Sequence, residues 1–264
     1  MSEEPFQEYD ADLTAVLEAV WGEGFMSPGG THEVDAYLQG IELQGFSVLD
    51  IGCGLGGVDI HLAKQHRVGK VTGIDIESDL IERCKRLAHK HDITEQTEFI
   101  CVEPGPLPFA DASFDLVTSK DAIIHIADKH ALAADIYRTL KPGGWFAASD
   151  WLAGYEGEPS PQMEAYLIAE GLDFGLRSGN SYRLALEAAG FVEIDIVDRN
   201  EWYRVEARRE RDQMRGALYE DLARQVGAEF LDHEIDVWDK MIIALDQGQL
   251  RPTHLRGRKN QIAN

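Results

Sequence analysis

Short apolar runs alternate with longer amphipathic stretches through the first 150 residues of the chain. The runs at 47–51, 70–75, 97–102, 114–119 and 144–150 read as strands. The stretches at 57–66, 77–91 and 129–140 carry helical spacing, and Lys141-Pro142-Gly143-Gly144 stops the last of them. Such alternation implies βαβ units, a parallel sheet, and ligands at the carboxyl ends of the strands. Gly52, Asp75, Glu103 and Ser119 all fall at those ends. Ahead of the first strand a helical segment, Asp12 to Trp21, leads into Met26-Ser27-Pro28-Gly29-Gly30. Beyond the fifth strand the pattern predicts helices at 161–172 and 180–189, then a strand at 192–197. Two long polar helices at 200–226 and 233–247 and a last strand within 253–259 complete it. The expected fold is α/β, with helical cover inserted late in the chain over the ligand edge of the sheet.

The turn after the first strand concentrates the chemistry. Val48-Leu49-Asp50-Ile51 runs into Gly52-Cys53-Gly54-Leu55-Gly56-Gly57, a strand passing into a helix through glycines. Glycine permits a left-handed turn and removes the Cβ atoms that would hold a nucleotide-like ligand away from the backbone. Asp75 ends the second strand, where a carboxylate accepts hydrogen bonds from ribose hydroxyls. On spacing alone, Gly52, Gly54 and Gly57 also satisfy the dinucleotide pattern G-x-G-x-x-G.

Composition narrows the partners. With 25 Lys and Arg against 47 Asp and Glu, the formal net charge is −22. A phosphate backbone needs a basic footprint, so a nucleic-acid substrate is not expected. Cys53, Cys84 and Cys101 show neither C-x-x-C nor Cys/His ligand spacing, so neither a metal site nor a disulfide framework is expected. The start, MSEEPFQEYD, lacks the pattern of a signal peptide, and no run is apolar for the roughly 18 to 20 residues that span a bilayer. A cytoplasmic protein without membrane partners is the expectation. The oligomeric state is left open.

The ordered set Asp50, the glycine turn, Asp75, Phe114-Asp115-Leu116-Val117 and Leu140-Lys141-Pro142-Gly143-Gly144 resembles a class I methyltransferase dependent on S-adenosyl-L-methionine (AdoMet) rather than an NAD enzyme. The resemblance implies a Rossmann-like, mainly parallel seven-stranded sheet. It implies a single domain in four parts: an N-terminal helical lid (1–45), the AdoMet-binding core (46–150), a substrate-side helical cover containing strand 192–197 (151–252), and a last strand and tail (253–264). Ser119-Lys120-Asp121-Ala122-Ile123-Ile124-His125 and Gly22-Glu23-Gly24-Phe25-Met26-Ser27-Pro28-Gly29-Gly30, with Tyr9 upstream, are similar to segments of phosphoethanolamine N-methyltransferases. By that resemblance Tyr9 and His125 are the catalytic pair, latching over the amine and assisting its deprotonation, and Asp121 faces the amine. Met26, Ser27, Asp50, Gly52, Gly54, Asp75, Ile76, Glu103 and Lys120 are expected to hold AdoMet. Glu103 stands where the family's usual residue is aspartate.

The chain departs from the family where phosphate would bind. Glu170 falls where the family has an arginine, Leu172 where it has a tyrosine, and Met241 near the position of a lysine. A carboxylate there repels a dianion. The expected acceptor is therefore a small polar amine or amino acid of the glycine-betaine-precursor type, with phosphoethanolamine as the alternative. O- or S-methylation of a small metabolite, and an AdoMet-binding regulatory module without turnover, are the other readings. Trp151, Tyr166 and Tyr203 are candidates to touch the substrate through cation–π contacts, with core packing as their ordinary role. For a substrate carboxylate, Arg177, Arg183, Arg204, Arg251, His254 and Arg256 are candidate partners, or else plain surface charges.

Overall fold

The computed structural model describes residues 9–172 and 174–261. The first eight residues of the expected lid and the last three of the expected tail lie outside them. Seven strands form one sheet in the order β3-β2-β1-β4-β5-β7-β6. They are β1 (Ser47–Ile51), β2 (Lys70–Asp75), β3 (Thr97–Cys101), β4 (Phe114–Lys120), β5 (Leu140–Ala153), β6 (Phe191–Asp198) and β7 (Leu250–Lys259). The first five pair in parallel, whereas β7 runs antiparallel to both β5 and β6. The strand order reverses direction between β1 and β4, and a sheet of this kind opens its ligand crevice at such a reversal.

The helices are α1 (Ala11–Trp21), α2 (Gly30–Leu38), α3 (Gly57–Gln65), α4 (Ser78–Lys90), α5 (Lys129–Thr139), α6 (Pro161–Glu170), α7 (Gly179–Ala189), α8 (Asn200–Arg215), α9 (Tyr219–Val226) and α10 (Ala228–Asp246). Their ends follow local chemistry. Asp10 caps α1 by accepting from Leu13 N–H, Asp128 caps α5 through Ala131 N–H, and Ser160 caps α6 through Met163 N–H with Pro161 in the first turn. Leu80, Ile81, Cys84 and Ala88 form the buried stripe of α4, at helical spacing.

Two apolar cores sandwich the sheet at its ligand-bearing half. One joins Leu49, Ile51 and Val117 to Ile136 of α5 and Leu186 of α7; the other joins Val48, Val71 and Leu116 to Val34 of α2 and Leu62 of α3. The cover is built differently. Residues of α1, α6, α8, α9 and α10 share a third core of their own, including Leu17, Met163, Tyr203, Leu222 and Trp238. Glu210 is buried there and accepts from Trp21 Nε1, the Tyr203 hydroxyl and Trp238 Nε1. These donors meet the hydrogen-bonding need of a carboxylate that burial would otherwise make costly.

Several elements differ from the sequence expectation. α2 was not anticipated, because nine residues with a polar face give little periodic signal. The stretch at 200–226 is two helices separated at Gly216, rather than one. β5 starts at Leu140: Lys141 to Gly144 make an irregularity within the strand, where the register to β4 shifts and Gly143 takes φ +80°. β7 begins at Leu250, three residues before the expected start, pairing with Ala153.

Candidate active site

A cavity of about 800 Å³ opens at the carboxyl ends of β1, β2, β3 and β4. The glycine turn forms one wall. Gly52 (φ +71°) and Gly54 (φ +54°) are both left-handed, and a Cβ on Gly52 would stand 2.3 Å from that of Ala122. Side chains are therefore excluded for two reasons, conformation and space. Asp75 braces this turn: Oδ2 accepts from Gly54 N–H at 2.9 Å and Oδ1 from Glu77 N–H at 3.1 Å. Burial raises the Asp75 pKa, against the lowering effect of those backbone donors. Each oxygen retains a further lone pair for a hydroxyl ligand. Ile76, Val102, Glu103, Leu107 and Leu132 continue the wall.

The opposite wall carries the candidate chemistry. Asp121, just past β4, is left-handed (φ +57°), an uncommon state for a residue with a Cβ. Its N–H is held by Ser149 C=O at 2.8 Å. Lys120 donates to Asp121 Oδ2 at 2.9 Å, to Ser27 Oγ at 2.9 Å and to Pro28 C=O at 2.8 Å. One buried ammonium thus draws the N-terminal loop onto the end of β4. Further along, Ile123–His125 form a single 3₁₀ turn that presents His125 to the cavity. Tyr9 reaches across from the start of α1, its hydroxyl 3.2 Å from His125 Nε2. Phe174 packs on the imidazole with ring centres 5.5 Å apart.

A buried network holds this turn from behind. Asp150 of β5 accepts from Ile124 N–H at 3.0 Å and from the Tyr182 hydroxyl, while Lys129 donates to Ile123 C=O at 2.6 Å. Burial pushes the Asp150 carboxyl up and the Lys129 ammonium down, and their mutual attraction opposes both shifts. The N-terminal segment is anchored as well. Arg83 donates to Thr14 Oγ1 and Glu18 of α1, and Glu18 accepts from Gly24 N–H at 2.8 Å.

The structure brings Tyr9, Met26, Ser27, Gly52, Gly54, Asp75, Ile76, Glu103, Lys120, Asp121 and His125 to one cavity. It does not bring Asp50, Trp151, Tyr166 or Tyr203 to that wall. Asp50 is wholly buried; burial and then the charge of nearby Asp59 raise its pKa. Tyr166 and Tyr203 lie in the core of the helical cover, and Trp151 packs edge-on against Tyr203 with ring centres 5.1 Å apart. The cationic candidates also point elsewhere: Arg204 pairs with Asp246, Arg251 with Asp198, and His254 with Glu33. Conversely, the wall includes Pro104 to Pro108, which the sequence reading passed over. The signal was available as a proline- and glycine-rich run directly after β3. Arg138 fastens that run by donating to Leu107 and Phe109 C=O.

The walls suit an adenosyl ligand: bare glycine backbone beside a braced carboxylate, then a slot of aliphatic side chains. The fold is shared with known methyltransferases. A family model described as a methyltransferase domain matches residues 49–148. A phosphoethanolamine N-methyltransferase of Triticum aestivum is 32% identical over 237 residues, covering 89% of this chain and 45% of the relative. The chain thus spans about half the length of that curated relative. Among solved structures, phosphoethanolamine N-methyltransferase 2 of Haemonchus contortus in complex with S-adenosyl-L-methionine superposes with a TM-score of 0.82 at 25% identity. That match covers 94% of this chain and 56% of the other. A putative sarcosine dimethylglycine methyltransferase from Galdieria sulphuraria shares the fold over 96% of this chain and 98% of its own, with TM-score 0.80 at 19% identity.

Proposed function

The chain carries a class I AdoMet-dependent methyltransferase domain similar to the phosphoethanolamine N-methyltransferases, and from that premise we propose that it methylates the nitrogen of a small polar amine. The observation that carries the reading is the closure of Tyr9 on His125 beside Asp121, at the open end of the cofactor cavity. AdoMet, when bound, supplies a methyl group on a sulfonium. The protein has three tasks: to hold the amine in line, to keep water out, and to take a proton so that nitrogen regains its lone pair. The Asp121 carboxylate, oriented by Lys120 on one oxygen, receives the ammonium. His125 takes the proton at Nε2, and Tyr9 closes over that nitrogen. Asp75, Met26, Ser27, Gly52, Gly54, Ile76 and Glu103 would hold the cofactor.

The acceptor is a small amine with less negative charge than a phosphate dianion, such as glycine, sarcosine or dimethylglycine. What supports this is the sequence position at which the family has a phosphate-binding arginine, occupied here by Glu170. Glu170 and Glu234 lie in the helical cover and off the cavity wall, and burial raises each to about 7, so neither supplies the cation a phosphate dianion would need. The names of the relatives favour the second reading, phosphoethanolamine. The test is methyl transfer from AdoMet to a panel holding both kinds of amine, with product mass and methylated atom determined. Turnover on the carboxylated amines alone supports the first reading. Turnover on phosphoethanolamine overturns it in favour of the second, and products methylated only on oxygen or sulfur overturn both.

A further inference from the structure

Outside the cavity, α2 and α3 bring three metal-ligand side chains to one point of the surface. Nε2 of His61 and Nε2 of His66 each lie 2.7 Å from Oδ1 of Asp35. The two nitrogens are 3.3 Å from one another, and the rings stand nearly perpendicular. The His61 side chain is 9% exposed, that of His66 27% and that of Asp35 52%, so the cluster is rooted in the protein and opens to solvent on the Asp35 side.

Hydrogen bonding alone serves this triangle poorly. If both Nε2 atoms carry protons, two donors crowd one carboxylate oxygen and each other. If one is bare, that ring has no proton to give Asp35. A divalent ion removes the conflict, because two neutral imidazoles then bind through Nε2 and the carboxylate balances charge. With Zn–N bonds of about 2.0–2.1 Å, tetrahedral geometry sets two ligating nitrogens about 3.3–3.4 Å apart. The His61–His66 separation already meets that value. Asp35, the most exposed of the three, would move outward by about 0.6 Å to match the same geometry.

We propose that Asp35, His61 and His66 form a binding site for a divalent transition-metal ion of the zinc type. Imidazole nitrogen with a carboxylate suits that class rather than calcium or magnesium, and the solvent side leaves room for a water ligand. The site is a clamp rather than a centre of reaction, since none of the three residues lines the cavity. α2 follows directly on the loop that Lys120 holds through Ser27 and Pro28, and α3 starts from the glycine turn. On another face α2 is tied through Glu33 to Arg199 and to His254 of β7; these partners outweigh burial and hold Glu33 down at about 2. An ion at Asp35 adds a second tie, joining the two segments that wall the cavity. The ligands escape sequence patterns because His61 and His66 are five apart, not the four that aligns ligands on one helix face. His66 qualifies because it caps the end of α3.

The proposal does not depend on methyl transfer, and neither does its test. Zn²⁺ is titrated into the chelator-treated full chain while thermal unfolding is followed, and Co²⁺ replaces it for visible absorption spectroscopy. The expected results are a Tm that rises with Zn²⁺ and is reversed by chelator, together with the absorption bands of cobalt in low-coordinate nitrogen and oxygen ligation. His66→Ala, at a partly exposed helix end, and His61→Ala should each weaken Zn²⁺ binding by at least about 10- to 100-fold. His89→Ala should leave it unchanged. A Tm indifferent to Zn²⁺, a cobalt spectrum identical to that of the aqueous ion, or binding that persists in the His61→Ala/His66→Ala double variant would overturn the proposal. Circular dichroism at low temperature establishes that each variant is folded before it is scored.

Discussion

The Tyr9 hydroxyl stands 3.2 Å from Nε2 of His125, joining a residue two positions before α1 to the turn after β4 across 116 positions of chain. No local force sets that contact; it depends on the N-terminal segment being seated by Arg83 and Lys120. If the pair works as proposed, His125→Ala should lower the methyl-transfer rate by roughly 10²- to 10⁴-fold. Affinity for S-adenosylhomocysteine should barely change, because Asp75 and the glycine turn remain. Single-turnover kinetics beside calorimetric binding separates the two effects. Nearly full turnover in His125→Ala would remove the residue from the mechanism.

Gly52 tests the proposed cofactor wall. In Gly52→Ala the new methyl group meets Ala122 at 2.3 Å while the backbone stays left-handed. The strain should cost about 1–3 kcal/mol and shift the turn against the ligand. Weaker binding of S-adenosylhomocysteine by calorimetry, with a lower Tm, is the expected result. Unchanged affinity would mean the ligand lies elsewhere.

Asp150 does not line the cavity, yet it holds the turn that presents His125. Asp150→Ala leaves the Ile124 N–H and the Tyr182 hydroxyl without their acceptor and removes the negative charge that favours the Lys129 ammonium, which keeps its bond to Ile123 C=O. Leaving buried donors unsatisfied in this way should destabilise the chain by about 1–3 kcal/mol for each, measured by urea unfolding. A loss below about 1 kcal/mol would show that water replaces the carboxylate without difficulty.

Glu170 and Glu234 make stability depend on pH. Burial raises both to about 7, so the folded chain holds these protons more tightly than the unfolded chain does. Their contribution is complete below the ordinary glutamate range and is lost as pH rises through about 7. Glu170→Gln should therefore raise Tm above that of the parent at pH 8, by the equivalent of about 1–3 kcal/mol, and much less at pH 5. Equal Tm differences at the two pH values would show that Glu170 titrates normally.

Much of the cavity wall was legible in the residues themselves. A glycine turn after β1 and an aspartate ending β2 carry meaning locally, because backbone conformation and strand ends are properties of short segments. Asp50 shows the limit. It stands two residues before Gly52, but side chains alternate across a strand: Leu49 and Ile51 face the α5–α7 core, while Val48 and Asp50 face the α2–α3 side. That alternation carries its carboxyl toward Asp59 and away from the cavity wall. Tyr166 and Tyr203 show another. Helical spacing marks a buried face but does not say whether it meets a cavity or, as here, the core of α1, α6 and α8–α10.

The sequence by itself determined the succession of strands along the chain, the bare-backbone turn, and the carboxylate at the end of β2. Each depends on residues adjacent in the chain. Tertiary structure decided how closely Tyr9 meets His125, a pairing the family resemblance implied, and it alone decided that Lys120 draws the N-terminal loop inward and that Asp35 joins His61 and His66. Those contacts join segments distant in sequence, and only the packing of helices against the sheet sets the distances between them.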